Sequence, residues 1–174
     1  MSTYKAQFHH ILQRYGHEVL VISADRQLPC SCLDVLTGST DNKCSYCFGL
    51  GYIPVITKEL TREQDSNIAS SLSLISDSQL FGELSIPGRF YFFKDTVQIK
   101  PHDLIMEVIW DGNRPVQLGE GLYEVSHVDL KRLERGEVLF QKVYTKENPI
   151  MKNIRSINII ERAGQTFYQL EESP

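Results

Sequence analysis

The sequence predicts a mainly β protein, a small β-barrel or sandwich with an N-terminal amphipathic helix and an inserted four-cysteine zinc-knuckle loop. Three observations carry that reading. From residue 88 onward, short β-rich runs alternate with turn signals. Residues 4–15 carry a helical apolar period. All four cysteines lie between Cys30 and Cys47, in a stretch with a β-type run on either side. With 174 residues, 41% of them hydrophobic and 23% charged, the chain is long enough for one domain around a single core.

In the first segment Tyr4, Phe8, Ile11, Leu12 and Tyr15 fall on one helical face. Ser2 or Thr3 can cap its start, and Gly16 is placed to end it. A helix of about 12 residues is marginal alone, so it must pack on the body of the protein or on a neighbouring subunit. Residues 18–24, with Val19, Leu20, Val21 and Ile22, read as the first strand, and Pro29 breaks it. After the cysteine loop, Tyr52, Ile53, Val55 and Ile56 make a second strand, in which Pro54 marks an edge or a bulge. The layout is thus a helix and first strand over 1–29, a knuckle over 30–51, and a β-rich body over 52–174.

Residues 61–85 read as an extended excursion. Thr61 to Gln64 can open a helical turn, and residues 66–78 are rich in serine with Leu72, Leu74 and Ile75 interspersed. Beyond them, strands are expected at 90–93, 96–99, 104–110, 122–128, 138–144, 154–161 and 166–170. The separating turns are 94–95, 101–103, 111–113, 119–121, 135–136 and 163–164. Such regular spacing suits a barrel or sandwich.

Eighteen basic against 22 acidic residues give a formal charge of -4. That balance argues against a protein that coats nucleic acid, which needs a clustered basic surplus, while leaving room for one that nucleic acid slides past. No apolar run reaches the roughly 18 to 20 residues of a membrane span, and residues 1–14 lack a signal-type apolar core. A reducing cytosol is therefore expected, where cysteines are thiols or metal ligands before they are disulfides.

The cysteines are spaced as Cys30-Ser31-Cys32, eleven residues, then Cys44-Ser45-Tyr46-Cys47-Phe48-Gly49-Leu50-Gly51. Four thiolates close a tetrahedral zinc shell, and paired ligands on one tight turn add little loop-closure cost. Gly49 and Gly51 let the backbone turn and aim amides at sulfur. With Cys30, Cys32, Cys44 and Cys47 all bound, the shell has no position for a catalytic water, so the ion would be structural. It would leave a charge of about -2, for Lys43, Arg26 and Lys58 to offset. The competing readings are two disulfides, four free thiols, or His17 in place of one sulfur.

Little else points to chemistry, and no enzyme is expected. No Gly-rich phosphate loop, Gly-x-Ser-x-Gly elbow or His-Glu-x-x-His helix occurs. His9 and His10 sit on the helix and cannot share one site, whereas His102 and His127 read as turn and strand residues. Asp103, Glu107 and Glu124 read as solvated or channel-facing positions. The run Phe90-Tyr91-Phe92-Phe93, with Trp110, is flanked only by Arg89 and Lys94, so it suits a core or an apolar subunit contact better than base stacking.

Residues 44–51 resemble the Cys-x-x-Cys-x-Gly-x-Gly unit of the zinc domain of DnaJ-type chaperones, of which this chain has one copy and no His-Pro-Asp signature. In overall layout the chain resembles small virion proteins of tailed bacteriophages that sit in the neck, or head-to-tail connector. The likeness rests on Tyr15-Gly16-His17 with the β-run after it, the four-cysteine loop at 30–51, and a β-rich second half containing Asp103-Leu104-Ile105-Met106-Glu107-Val108 and Asp111-Gly112. It implies a head-closure or adaptor-like virion protein, made in the host cytoplasm and assembled as a homo-oligomeric ring. Its neighbours would be connector, portal or tail proteins, and DNA would pass non-specifically through its channel. The alternative is a cytosolic zinc-knuckle module that binds proteins as a monomer.

Overall fold

A computed structural model describes residues 3–41, 44, 46–47, 49–65, 89–112, 114–133, 136–148, 154–162 and 165–172. Helix α1 (Thr3–Tyr15) is followed by β1 (His17–Pro29), β2 (Tyr52–Asp65), β3 (Arg89–Lys94), β4 (Leu104–Asp111), β5 (Arg114–Arg132) and β6 (Val138–Glu147). Two further strands are β7 (Ile154–Arg162) and β8 (Gln165–Glu172). The first six strands form a closed barrel in the order β1-β2-β3-β6-β5-β4, while β7 and β8 make a separate two-stranded sheet. The mainly β class, the barrel and the N-terminal helix thus match the sequence-based expectation.

The chain divides into two compact units. The first comprises residues 1–17, 60–101 and 124–147; the second comprises 18–59, 102–123 and 148–174. In the first, β3 runs antiparallel to β2, with Arg62 opposite Phe92, and to β6, with Phe92 opposite Lys142. Period-two alternation sends Tyr91 and Phe93 into the core, both fully buried, and Phe90 and Phe92 to the other face. There Phe92 meets Phe140 edge-on, and Phe8 of α1 stacks on Phe140 at 4.7 Å between ring centroids.

Leu12 completes the apolar seat of the helix. Lys5 pins it further through Asp95 at 2.5 Å and Glu137 at 3.3 Å. The Gly16 amide donates to the Leu12 carbonyl at 2.8 Å and closes the last turn, as its position suggested. The apolar face is narrower than the periodicity implied, since Tyr4, Ile11 and Tyr15 stand in water.

In the second unit β1 and β4 are antiparallel, with Val19 opposite Glu107 and Ile22 opposite Leu104. Residues 19–22 and 104–108 are buried on both faces, so these strands lack the in–out alternation of a half-exposed sheet: 19–22 is a continuous apolar run, and 104–108 is apolar except for Glu107. Leu20, Ile22, Leu104, Met106, Val108 and Leu122 form its core, with Leu50, Ile56, Trp110 and Tyr168 packed against it. Tyr168 meets Trp110 edge-on, which ties the β7–β8 sheet to that core.

Four expectations are corrected. Residues 61–65, read as the start of an excursion with a helical turn, complete β2, because 62–65 pair with residues 89–92 of β3. The rest of the serine-rich stretch, 66–85, lies outside the described residues. Residues 96–99 are not a strand: the Gln141 amide donates to the carbonyls of Lys94 and Val97, taking the place of a ladder partner. The supposed turn at 119–121 lies inside β5, where a Cβ on Gly121 would stand 2.7 Å from the Tyr123 ring. That glycine makes room for the aromatic side chain two residues on. Finally, Asp103 and Glu107 are buried rather than solvated.

Candidate metal centre

The cysteine-bearing residues form a finger between β1 and β2, closed at its base where the Cys30 amide donates to the Gly51 carbonyl at 2.9 Å. Tight turns then set each sulfur. The Leu33 amide donates to the Cys30 carbonyl, the Cys44 amide to that of Asp41, and the Leu50 amide to that of Cys47. Gly49 and Gly51 adopt φ of 79° and 76°, the left-handed conformation that only glycine takes without strain. The Thr40 hydroxyl crosses the finger to the Gly49 carbonyl at 3.0 Å.

These turns bring Cys30, Cys32, Cys44 and Cys47 together, with all four sulfurs within 4.8 Å of one another. Cys30 and Cys44 Sγ are 3.7 Å apart, and Cys32 and Cys47 Sγ are 3.3 Å apart. A disulfide would hold them at about 2.0 Å, so none is formed and the disulfide reading drops out. For a metal–sulfur bond of about 2.3 Å, the edge of a regular tetrahedron is about 3.8 Å. The first separation matches that edge, and the second opens by about half an ångström to meet it. The residues therefore fit a four-coordinate ion. The sulfur group holds no histidine; His17 begins β1 instead.

The electrostatics favour the same use. The Cys32 amide directed at its sulfur brings the Cys30 thiol down to about 7, while burial pushes the Cys47 thiol up to about 12. Cys47 is fully enclosed, and its sulfur accepts the Gly51 amide at 3.3 Å. A cation is what would make a thiolate there stable. Lys58, expected to offset the cluster's charge, is engaged elsewhere. It pairs with Glu18 at 2.7 Å and lies 4.1 Å from the centre of the Trp110 ring. Lys43 and the Arg26 side chain lie outside what the structure describes.

The remaining residues singled out from the sequence stand apart from the sulfurs. His102 is an exposed turn residue with φ of 74°, and His127 is an exposed strand residue beside Tyr144. His10 is exposed, and His9 faces Asp95 at 3.6 Å. Glu124 pairs with Lys146, and the Trp110 ring N–H donates to the Glu18 carbonyl at 2.7 Å. Sequence reasoning passed over Asp34, whose carboxylate organises the finger's distal turn; the Asp-x-x-Thr spacing of Asp34 and Thr37 was the available signal. Among the described residues, no helix is long and apolar enough to cross a membrane. No protein-family profile matches the chain, and no curated protein is significantly similar to it.

Proposed function

We propose that the protein is a structural subunit of the neck, or head-to-tail connector, of a tailed bacteriophage, and that it assembles with copies of itself as a ring around the DNA channel. A zinc ion held by Cys30, Cys32, Cys44 and Cys47 clamps its finger. The observation that carries this reading is the finger itself, a four-sulfur loop inserted between two strands of a closed barrel. It joins the layout likeness of the sequence to the phage proteins. Four sulfurs fill a tetrahedral shell, so the ion's work is to hold the loop. An acidic chain lining a channel would repel phosphates and let DNA pass without sticking.

Elemental analysis combined with light scattering on the purified protein tests the proposal. The expected result is one zinc per chain and a mass of many subunits, seen as rings by electron microscopy. A zinc-loaded monomer at every concentration would replace it with the alternative of a monomeric protein-binding knuckle.

A further inference from the structure

We propose that the finger is a site of oxidative modification, at which a peroxide joins Cys30 to Cys44 and Cys32 to Cys47, so that two disulfides take over the clamp from the metal. This rests on the proposed four-sulfur zinc site, and the proposed place of the protein in a virion says when the exchange would occur.

The pairing follows from where the sulfurs stand. The ligands sit on two arms, residues 30–32 and 44–47, with eleven residues between them. Two sulfur contacts run from arm to arm in hydrogen-bonding orientation, Cys30 to Cys44 at 3.7 Å and Cys32 to Cys47 at 3.3 Å. Closing either to the length of a disulfide asks for about 1–2 Å of movement. Each pair also joins an enclosed sulfur to a more accessible one: Cys30 and Cys47 are buried, whereas Cys32 and Cys44 are partly exposed. Oxidation to a disulfide needs that arrangement, an accessible sulfur to meet the oxidant and a neighbour to resolve it. Bridges between residues 14 and 15 positions apart tie one arm to the other, as the tetrahedral shell would. Bridges within an arm, Cys30 to Cys32 or Cys44 to Cys47, would leave the arms untied.

Hydrogen peroxide balances the chemistry. Cys32 Sγ attacks one peroxide oxygen, the O–O bond breaks and hydroxide leaves, giving a sulfenic acid. Cys47 Sγ then attacks that sulfur; the S–S bond forms, the S–O bond breaks and a second hydroxide leaves. Cys44 and Cys30 repeat the sequence. Four thiolates thus lose four electrons to two peroxides, which become four hydroxides, and the zinc ion departs with its charge unchanged. A particle that leaves a reducing cytoplasm for oxidising surroundings would exchange a metal clamp for a covalent one without opening the finger.

The test oxidises the full-length, zinc-loaded protein with hydrogen peroxide in the presence of a metal-binding dye. Free thiols should fall from four to none with release of the zinc, and a dithiol with added zinc should restore both. After unfolding and alkylation, trypsin cuts at Arg26, Lys43 and Lys58, so residues 27–43 and 44–58 carry one arm each. The two peptides should emerge joined and separate only on reduction, with fragmentation linking Cys30 to Cys44 and Cys32 to Cys47. Separate peptides, each two hydrogens lighter, would overturn the proposal, as would the opposite cross-pairing or sulfinic and sulfonic acids in place of bridges. Thiols and zinc that survive the peroxide would overturn it too, and each of these results leaves the zinc site standing. A protein that takes up no zinc overturns both.

Discussion

Gly51 is where the geometry of the finger is least forgiving. Its φ of 76° costs an L-residue about 1–2 kcal/mol. A Cβ placed there would lie 2.5 Å from the Thr40 methyl and 3.3 Å from Leu33 Cδ1. Thr40 must then move, and with it the hydroxyl that bonds the Gly49 carbonyl, a loss of about 1 kcal/mol. Gly51→Ala should therefore destabilise the finger by about 2–3 kcal/mol. Because folding of such a loop and metal binding are one equilibrium, that energy should appear as an apparent zinc affinity about 30- to 150-fold weaker. Competition against a chromophoric chelator measures it, with Gly38→Ala as the comparison. Gly38 has φ of 69°, but nothing lies within 4 Å of where its Cβ would stand, so only the backbone strain should register. Equal affinities for wild type and Gly51→Ala would refute the reasoning.

Three further outcomes are expected. Cys44→Ser should release the metal and leave residues 30–51 open to limited proteolysis while the barrel keeps its circular dichroism; unchanged zinc content would remove Cys44 from the ligand set. Phe93→Ala empties a fully buried aromatic site and should cost the fold about 3–5 kcal/mol in chemical denaturation, and a loss below about 1 kcal/mol would show that the core collapses onto the space. Asp95 is the acid-sensitive anchor of α1. Burial alone would raise its pKa, but the hydrogen bond from Lys5 and the charge of Lys5 hold it below the ordinary carboxylate range. A depressed folded pKa means the contribution is fully present above the unfolded value of about 3.9 and is lost as pH falls through the folded value. Asp95→Asn should accordingly lower the thermal midpoint at pH 7 and flatten its acid limb, and an unchanged acid limb would contradict the anchor.

What could be read in advance was whatever a local rule determines. The four-cysteine cluster was legible because cysteine spacing, glycine placement and a bounding strand on each side are all short-range signals. The helix and most strand positions were legible from apolar periodicity. What escaped depended on partners distant in the chain. Residues 62–65 are strand because residues 89–92 are there to pair with them. Residues 96–99 fail to be strand because a glutamine more than forty positions on takes the Lys94 and Val97 carbonyls. Gly121 read as a turn because the Tyr123 ring that needs its space is invisible to a turn rule. Tyr4, Ile11 and Tyr15 looked like core because periodicity reports a face, while only Phe8 and Leu12 of that face find something to pack on. The buried carboxylate Glu107 follows from a strand enclosed on both sides, which alternation cannot reveal.

Whether a zinc ion holds the finger is tested most directly by X-ray absorption at the zinc edge, on protein purified without added metal and quantified by elemental analysis. The predicted spectrum is one zinc per chain surrounded by four sulfurs at about 2.3 Å. A protein that carries no metal yet keeps residues 30–51 protected from proteolysis would contradict it.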